Sequence, residues 1–245
     1  MKIIIHGYTG RMGQMLVSLS ERENIAFEVA AKVSPDCPLE TENCCTELDH
    51  FTGEADCIID FSNHAAAKTL TDYAVKRGIP LVVATTGHNE SELETIKRAA
   101  EHVPVFFSAN MSVGVALLAN LAKEAASAFP DADIEIIETH HNQKLDVPSG
   151  TALLLARKIK EARSGAEILV GRHENGKRGK EIGIHSVRLG NETGKHTIII
   201  SAGSETITLE HKAENRMLFA EGAVAAAKFI CGKKAGFYTM EDIIG

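Results

Sequence analysis

The 245-residue chain contains no apolar run approaching the ~20 residues that cross a bilayer, so a membrane span is not expected. It also lacks a CxxC pair, an internal repeat, a low-complexity tract and a basic excess. The five cysteines, Cys37, Cys44, Cys45, Cys57 and Cys231, are odd in number and include one adjacent pair, which excludes both a zinc ribbon and a disulfide framework. Reduced thiols are expected, and with them a cytoplasmic location. Lys+Arg number 26 against 33 Asp+Glu, a formal net charge of −7. That balance argues against nucleic acid as the main partner, because such binders carry a clear cationic excess, but it leaves room for a local basic pocket around a small anion. The opening Lys2-Ile3-Ile4-Ile5 has none of the architecture of a secretory signal, so export is not expected either. The chain is 44% hydrophobic and 24% charged, ordinary globular usage with enough apolar material for a sizeable core.

Short apolar runs alternate with helical patterns over the first two thirds. Residues 3–6, 26–33, 57–61, 81–84 and 105–107 read as strands. Residues 11–21 place Met12, Met15, Leu16 and Leu19 at helical spacing, and 65–76 and 90–101 read as further helices. Strands of this length separated by helices predict βα units and a parallel sheet buried on both faces. After a long apolar helix at 112–129 the character changes. A strand at 134–139, a polar loop at 142–149 and a helix at 151–162 precede a solvated basic loop at 165–180, with a substrate lid as the alternative reading; its Gly- and Lys/Arg-rich part, 171–180, reads as mobile. Strands at 181–188, 196–201 and 205–211 then follow one another closely, which predicts an antiparallel or mixed sheet in a second, α+β domain. An Ala-rich helix at 217–230 is expected to return to the first domain, and Thr239-Met240-Glu241-Asp242 has a capping-box pattern. The expected organisation is α/β: a Rossmann-type parallel sheet domain of 1–110 with 215–245, and a second domain of 111–214 for substrate binding and oligomerisation.

Gly7-Tyr8-Thr9-Gly10-Arg11-Met12-Gly13 follows the first strand and opens the first helix. Glycines at 7, 10 and 13 suit a plain tight turn. They also allow close backbone approach to a pyrophosphate at a helix N-terminus, and the position at the start of a βαβ run favours dinucleotide binding. The spacing is GxxGxxG, so the regular GxGxxG fingerprint is met only approximately. No acid closes the second strand, which reads Ala31-Lys32-Val33-Ser34. Lys32 is either a solvated strand-end residue or a partner for a 2′-phosphate, which favours NADPH or dual use over strict NADH preference. Asp60-Phe61-Ser62, Ala84-Thr85-Thr86-Gly87 and Ser108-Ala109-Asn110-Met111 end three further strands at the same sheet edge and outline a rim, with Phe61 as a wall for a nicotinamide.

The densest chemistry lies in Glu138-Thr139-His140-His141-Asn142-Gln143-Lys144-Leu145-Asp146-Val147-Pro148-Ser149-Gly150-Thr151-Ala152. A strand delivers two histidines, a lysine follows, and Ser149 is the natural N-cap of the next helix. Amides around Gly150 and Thr151 suit a carboxylate, histidine suits proton donation near neutral pH, and lysine supplies positive charge or a proton. A solvated His/Lys loop has the same composition. A metal is not expected, because adjacent histidines on extended chain point apart and no HExxH or cysteine partner lies nearby. The other nine histidines read as scattered surface or core residues.

With these segments assembled, the sequence resembles the dihydrodipicolinate reductase family over nearly its whole length. The resemblance is carried by residues 7–13, 84–87, 108–114, 138–152, 181–188 and 211–222. The 138–152 segment is highly specific to the family; the glycine turn is not. The resemblance implies reduction of a cyclic unsaturated imino dicarboxylate by NADPH or NADH in the diaminopimelate route to lysine. It implies His140 as general acid/base, Lys144 as second proton donor, and His141, Gly150 and Thr151 holding the substrate carboxylates. Gly7, Tyr8, Thr9, Gly10, Arg11, Met12, Lys32, Ala84, Thr85, Thr86, Ser108, Ala109, Asn110 and Met111 would line the cofactor, and the second domain's sheet would assemble a homotetramer. Val147 and Met111 depart from the family's usual Ala and aromatic residue, and both stay apolar. Cofactor on one domain and substrate on the other imply hinge closure that excludes water, with hinges expected at 108–112 and 213–216. Two other functions share some of these features. One is another NAD(P)-dependent dehydrogenase of amino-acid metabolism. The other is a non-catalytic nucleotide-sensing Rossmann protein, which has no need of the His140/Lys144 proton donors.

Overall fold

A computed structural model describes residues 1–22, 27–173 and 175–245 of the chain. In chain order the elements are β1 (Lys2–His6), α1 (Arg11–Ser20), β2 (Glu28–Val33), β3 (Cys44–Cys45), β4 (Cys57–Asp60), α2 (Ala67–Arg77), β5 (Leu81–Val83), α3 (Glu90–Ala99) and β6 (Pro104–Phe107). They continue with α4 (Val113–Ala128), β7 (Asp133–His140), α5 (Gly150–Ala162), β8 (Ile168–Val170), β9 (Ile182–Arg188), β10 (Lys195–Ala202) and β11 (Glu205–Lys212). The chain closes with α6 (Met217–Ile230), β12 (Gly236–Tyr238) and α7 (Met240–Ile244). Two compact units result: Met1–Ser112 with Met217–Gly245, and Val113–Arg216. The predicted second strand starts at Glu28; position 26, assigned to it from sequence, lies outside the described residues. Among the described residues no helix is long and apolar enough to cross a membrane.

The first unit is a seven-stranded sheet in the order β12-β6-β5-β4-β1-β2-β3, parallel throughout. Its central strands are buried along their length, Ile3, Ile4 and Ile5 in β1 and Ile58 and Ile59 in β4, because helices cover both faces. α6 does return to this sheet, packing on α1, β4, β5 and β6. The strand order reverses between β1 and β4, which opens a crevice at their C-terminal ends. Gly7 stands there with φ +81°, and a Cβ on it would lie 2.7 Å from the Phe61 carbonyl oxygen after β4. Only glycine permits both the backbone conformation and the approach.

The second unit is a mixed sheet, β11-β10-β7-β9-β8, in which β7, β9 and β8 run parallel and β10 runs antiparallel to both β7 and β11. Period-two alternation is regular along β7, whose Ile134 and Ile136 are buried with Ile198 and Ile200 of β10 and Ile182 and Ile184 of β9. These residues form one core with Leu118 and Ala122 of α4 and Leu155 and Ile159 of α5, so both helices lie over one face of the sheet.

The reading of 165–180 as a solvated basic loop is corrected. Ile168–Val170 forms β8, parallel to β9, and Arg172 and Arg178 pair with Glu135, Glu181 and Asp133. A three-residue strand is too short to show periodicity, and the ion-pair partners are remote in sequence. Position 174 of this segment lies outside the described residues.

Candidate active site

The core face of the second sheet changes chemistry at one end. On β7 the alternation that buries Ile134 and Ile136 continues into Glu138 and His140 on the same face. On β10, His196 continues the line of Ile200 and Ile198 and stands directly opposite Glu138. On β9, Arg188 is registered against His140 and Ser186 against Glu138. Polar residues at core positions converge here beneath the start of α5.

Glu138 is the hub and is fully buried. One carboxylate oxygen accepts from His140 Nδ1 at 2.5 Å and from Arg188 at 2.9 Å. The other accepts from Arg188 at 2.8 Å and from the Ser149 amide at 3.1 Å. Burial opposes the charge, but the hydrogen bonds from His140 and Arg188 prevail and hold the carboxyl well below the usual carboxylate range. An ionised Glu138 accepts only, so His140 carries a proton on Nδ1 and its Nε2 is the working nitrogen. Gly194 leaves room for that nitrogen: a Cβ there would lie 3.0 Å from Nε2. The His196 ring packs edge-on against His140, with centroids 5.2 Å apart, and its Nε2 meets Ser149 Oγ at 3.1 Å. Burial, then the nearby His140, push the His196 pKa down to about 3, so it is neutral at ordinary pH.

Ser149 caps α5 as the sequence predicts, accepting from the Ala152 amide at 3.2 Å. Gly150 and Thr151 occupy the first turn, where the positive end of the helix dipole favours an anion. Lys144 pairs with Asp146 of its own loop at 2.8 Å. Arg216 reaches His141 Nε2 at 3.4 Å. Burial, followed by the charges of Arg216, His140, Lys144 and Arg188, lowers the His141 pKa. These cations therefore share one region, in a chain whose net charge is negative.

His140, His141, Lys144, Gly150 and Thr151 are thus brought together at the end of β7 and the start of α5. Glu138, Arg188 and His196 belong to the same cluster, and sequence reasoning gave them no role. His196, one of the histidines read as scattered surface or core residues, is a core residue that packs against His140. The available signal was local for Glu138, which lies two residues before His140 on the same strand face; for Arg188 and His196 it existed only in strand register.

The cofactor candidates sit on the first unit at the C-terminal ends of β1, β2, β5 and β6. Gly10 is the N-cap of α1, which has no side-chain cap and no acid in its first turn and so suits an incoming phosphate. A Cβ on Gly13 would meet the Gly7 oxygen and Tyr8 Cα, so the turn and helix touch through backbone. The Val33 carbonyl accepts from the Gly7 amide at 2.7 Å, and Thr9 Oγ1 bonds Ser34 Oγ at 2.6 Å. Lys32, Val33 and Ser34 thus occupy the strand end where a ribose-binding acid would stand, and no carboxylate replaces it. Buried Asp60 ties the rim together by accepting from His6, Ser62 and Thr85. Arg11, Thr86 and Ala109 are exposed, whereas Ala84, Thr85 and Met111 are buried, and Met111 packs against Gly222 of α6. The glycine cradle, the bare helix start and the acid-free strand end fit a pyridine dinucleotide with or without a 2′-phosphate.

A parallel sheet of this order, a glycine turn at its switch point and a buried carboxylate–histidine pair beside a helix start define an NAD(P)H-dependent oxidoreductase. Residues 1–111 match the family model for the dihydrodipicolinate reductase N-terminus and residues 114–244 that for its C-terminus, and the chain belongs to this family. It is similar to the 4-hydroxy-tetrahydrodipicolinate reductase of Caldanaerobacter subterraneus subsp. tengcongensis, 45% identical over 247 residues that cover 99% of this chain and 98% of that protein. The enzyme of the same name from Brachyspira hyodysenteriae is 40% identical over all of both chains. A solved dihydrodipicolinate reductase from Paenisporosarcina sp. TG-14, with dipicolinate bound, superposes with a TM-score of 0.83 at 27% identity, covering 99% of this chain and 98% of that one.

Proposed function

We propose that the chain reduces 4-hydroxy-tetrahydrodipicolinate to tetrahydrodipicolinate, as the names of its relatives indicate for those proteins, in the diaminopimelate route to lysine. Overall the substrate loses its hydroxyl as water and gains a hydride and a proton. The reading rests above all on the buried Glu138–His140 pair beside Lys144 and the start of α5.

His141, Gly150 and Thr151 hold the two substrate carboxylates, with Arg216 adding charge next to His141. When bound, the reduced nicotinamide supplies a hydride to the ring. Negative charge that develops there is met by a proton from His140 Nε2, whose ring Glu138 orients through Nδ1. Lys144 is the second donor once an incoming carboxylate or ring nitrogen draws it from Asp146. Proton donation of this kind contributes about 10²–10⁴-fold to rate. Gly7, Tyr8, Thr9, Gly10, Arg11 and Met12 cradle the pyrophosphate; Ala84, Thr85, Thr86, Ser108, Ala109, Asn110 and Met111 form the rim through backbone and small side chains. Lys32 meets a 2′-phosphate, and with no acid to repel it NADPH is accepted beside NADH. We further propose that the enzyme works in the cytoplasm and assembles as a homotetramer through the sheet of the second unit.

The test is the double variant His140→Gln/Lys144→Ala, assayed with enzymatically generated substrate. Turnover is expected to vanish while NADPH binding, followed by fluorescence, survives. Wild-type turnover in that variant would remove both residues from the mechanism.

A further inference from the structure

We propose that Cys37 and Cys44 form an oxidant-reactive dithiol that a hydroperoxide converts to an intramolecular disulfide, weakening coenzyme binding. The coupling to the coenzyme rests on the reading of Tyr8 and Lys32 as its contacts. Cys37 follows β2 in a turn, its amide bonded to the Ser34 carbonyl at 2.9 Å, and Cys44 opens β3. A bridge between Thr41 and Cys44 folds the connecting loop back, so the two sulfurs stand 2.8 Å apart. A disulfide of about 2.0 Å needs a contraction of less than about 1 Å. Both residues are only half-buried, whereas Cys45 is buried with its sulfur toward the Thr41 carbonyl, and Cys57 is wholly enclosed.

The two thiols have different roles. The hydrogen bond from the Cys44 thiol stabilises a Cys37 thiolate and lowers its pKa, while burial, then that same contact, raises the Cys44 pKa. Cys37 is therefore the attacking sulfur. Its thiolate attacks the terminal oxygen of the hydroperoxide; an S–O bond forms as the O–O bond breaks, the other oxygen leaves and takes a proton as alcohol or water, and Cys37 becomes a sulfenic acid. Cys44 then attacks the Cys37 sulfur, the S–O bond breaks and water leaves. Two thiols are oxidised by two electrons and one hydroperoxide is reduced.

The reaction lies beside the coenzyme residues. Cys44 Sγ is hydrogen-bonded to the Tyr8 hydroxyl at 3.2 Å, and its backbone is registered against Lys32. Tyr8, Lys32 and Cys44 line one cavity of about 610 Å³ with Thr41 and Asn43. Oxidation removes the Cys44 thiol that contacts Tyr8 and ties the two ends of the 37–44 loop together.

The full-length protein is treated with a small excess of hydrogen peroxide, alkylated and mapped by mass spectrometry without reductant. A Cys37–Cys44 linked peptide is expected, together with a rise in the NADPH Kd of about three- to tenfold, the range that loss of one hydrogen bond carries. Dithiothreitol is expected to reverse both. The variant C37S should bind NADPH normally and ignore peroxide, and C44S should halt at a Cys37 sulfenic acid that dimedone traps. Failure to detect the linked peptide overturns the proposal. So does a linked protein with unchanged Kd when Lys32→Ala weakens NADPH binding. If Lys32→Ala is silent as well, the coenzyme-site reading fails and the proposed coupling fails with it.

Discussion

Glu138 has no proton to offer at working pH, yet it holds His140, Arg188 and the Ser149 amide in place. A carboxylate enclosed this completely persists only because Arg188, His140 and the Ser149 amide satisfy both oxygens. The substitution Glu138→Gln keeps the volume but removes the charge that fixes the His140 proton on Nδ1. The expected result is a fall in kcat of about 10²-fold with NADPH affinity unchanged, measured by steady-state kinetics and fluorescence titration. His196 makes a pH-dependent contribution. Its folded pKa of about 3 lies below the ordinary histidine value, so the unfolded chain binds the proton first. Stability is full above about pH 6.5 and declines as pH falls towards 3, by about 1.4 kcal/mol per pH unit for one such group. Thermal melts from pH 7 to pH 4 are therefore expected to show a shallower loss of Tm in His196→Gln than in the parent. His141 and His211 are shifted the same way, so the dependence is reduced rather than abolished.

Two helix starts carry the proposed anion chemistry, and they are built differently. α5 has a side-chain cap in Ser149, which also bonds His196, so its first turn is held relative to the proton donors. α1 has no side-chain cap, and its approach to β1 is set by glycines. A Cβ at Gly13 would fall on the Gly7 oxygen and Tyr8 Cα, backbone atoms that cannot rotate away. The substitution Gly13→Ala is expected to cost about 1–3 kcal/mol of stability and to weaken NADPH binding, read by thermal melting and titration. The basic segment after α5 shows the opposite effect of context. Its arginines look solvated in sequence, but their partners Glu135 and Asp133 lie on β7, and β8 is short enough to escape any periodic signal.

On the scale of the whole molecule, helices of the second unit cover one sheet face only. Ile137 and Ile199 lie on the other face, half-buried, where the proposed assembly would cover them. Light scattering on a sizing column is expected to give a tetramer for the parent chain and smaller species for Ile137→Glu. The alternation of strands and helices that makes the first sheet parallel, the glycine turn after its first strand, the Ser149 cap and the His140-His141-Lys144 segment were all legible in sequence, because each shows in neighbours a few residues apart. β3, β8 and β12 were not, being strands of two or three residues that exist only through pairing. Local sequence thus marked the longer elements, the reaction class and the proposed proton donors. Tertiary structure alone decided what surrounds those donors: Arg188 and His196 lie roughly fifty residues along the chain from Glu138 and reach it only through the register of β9 and β10. Register is a property of paired strands, set by the match of apolar faces across a sheet, and no single segment contains it.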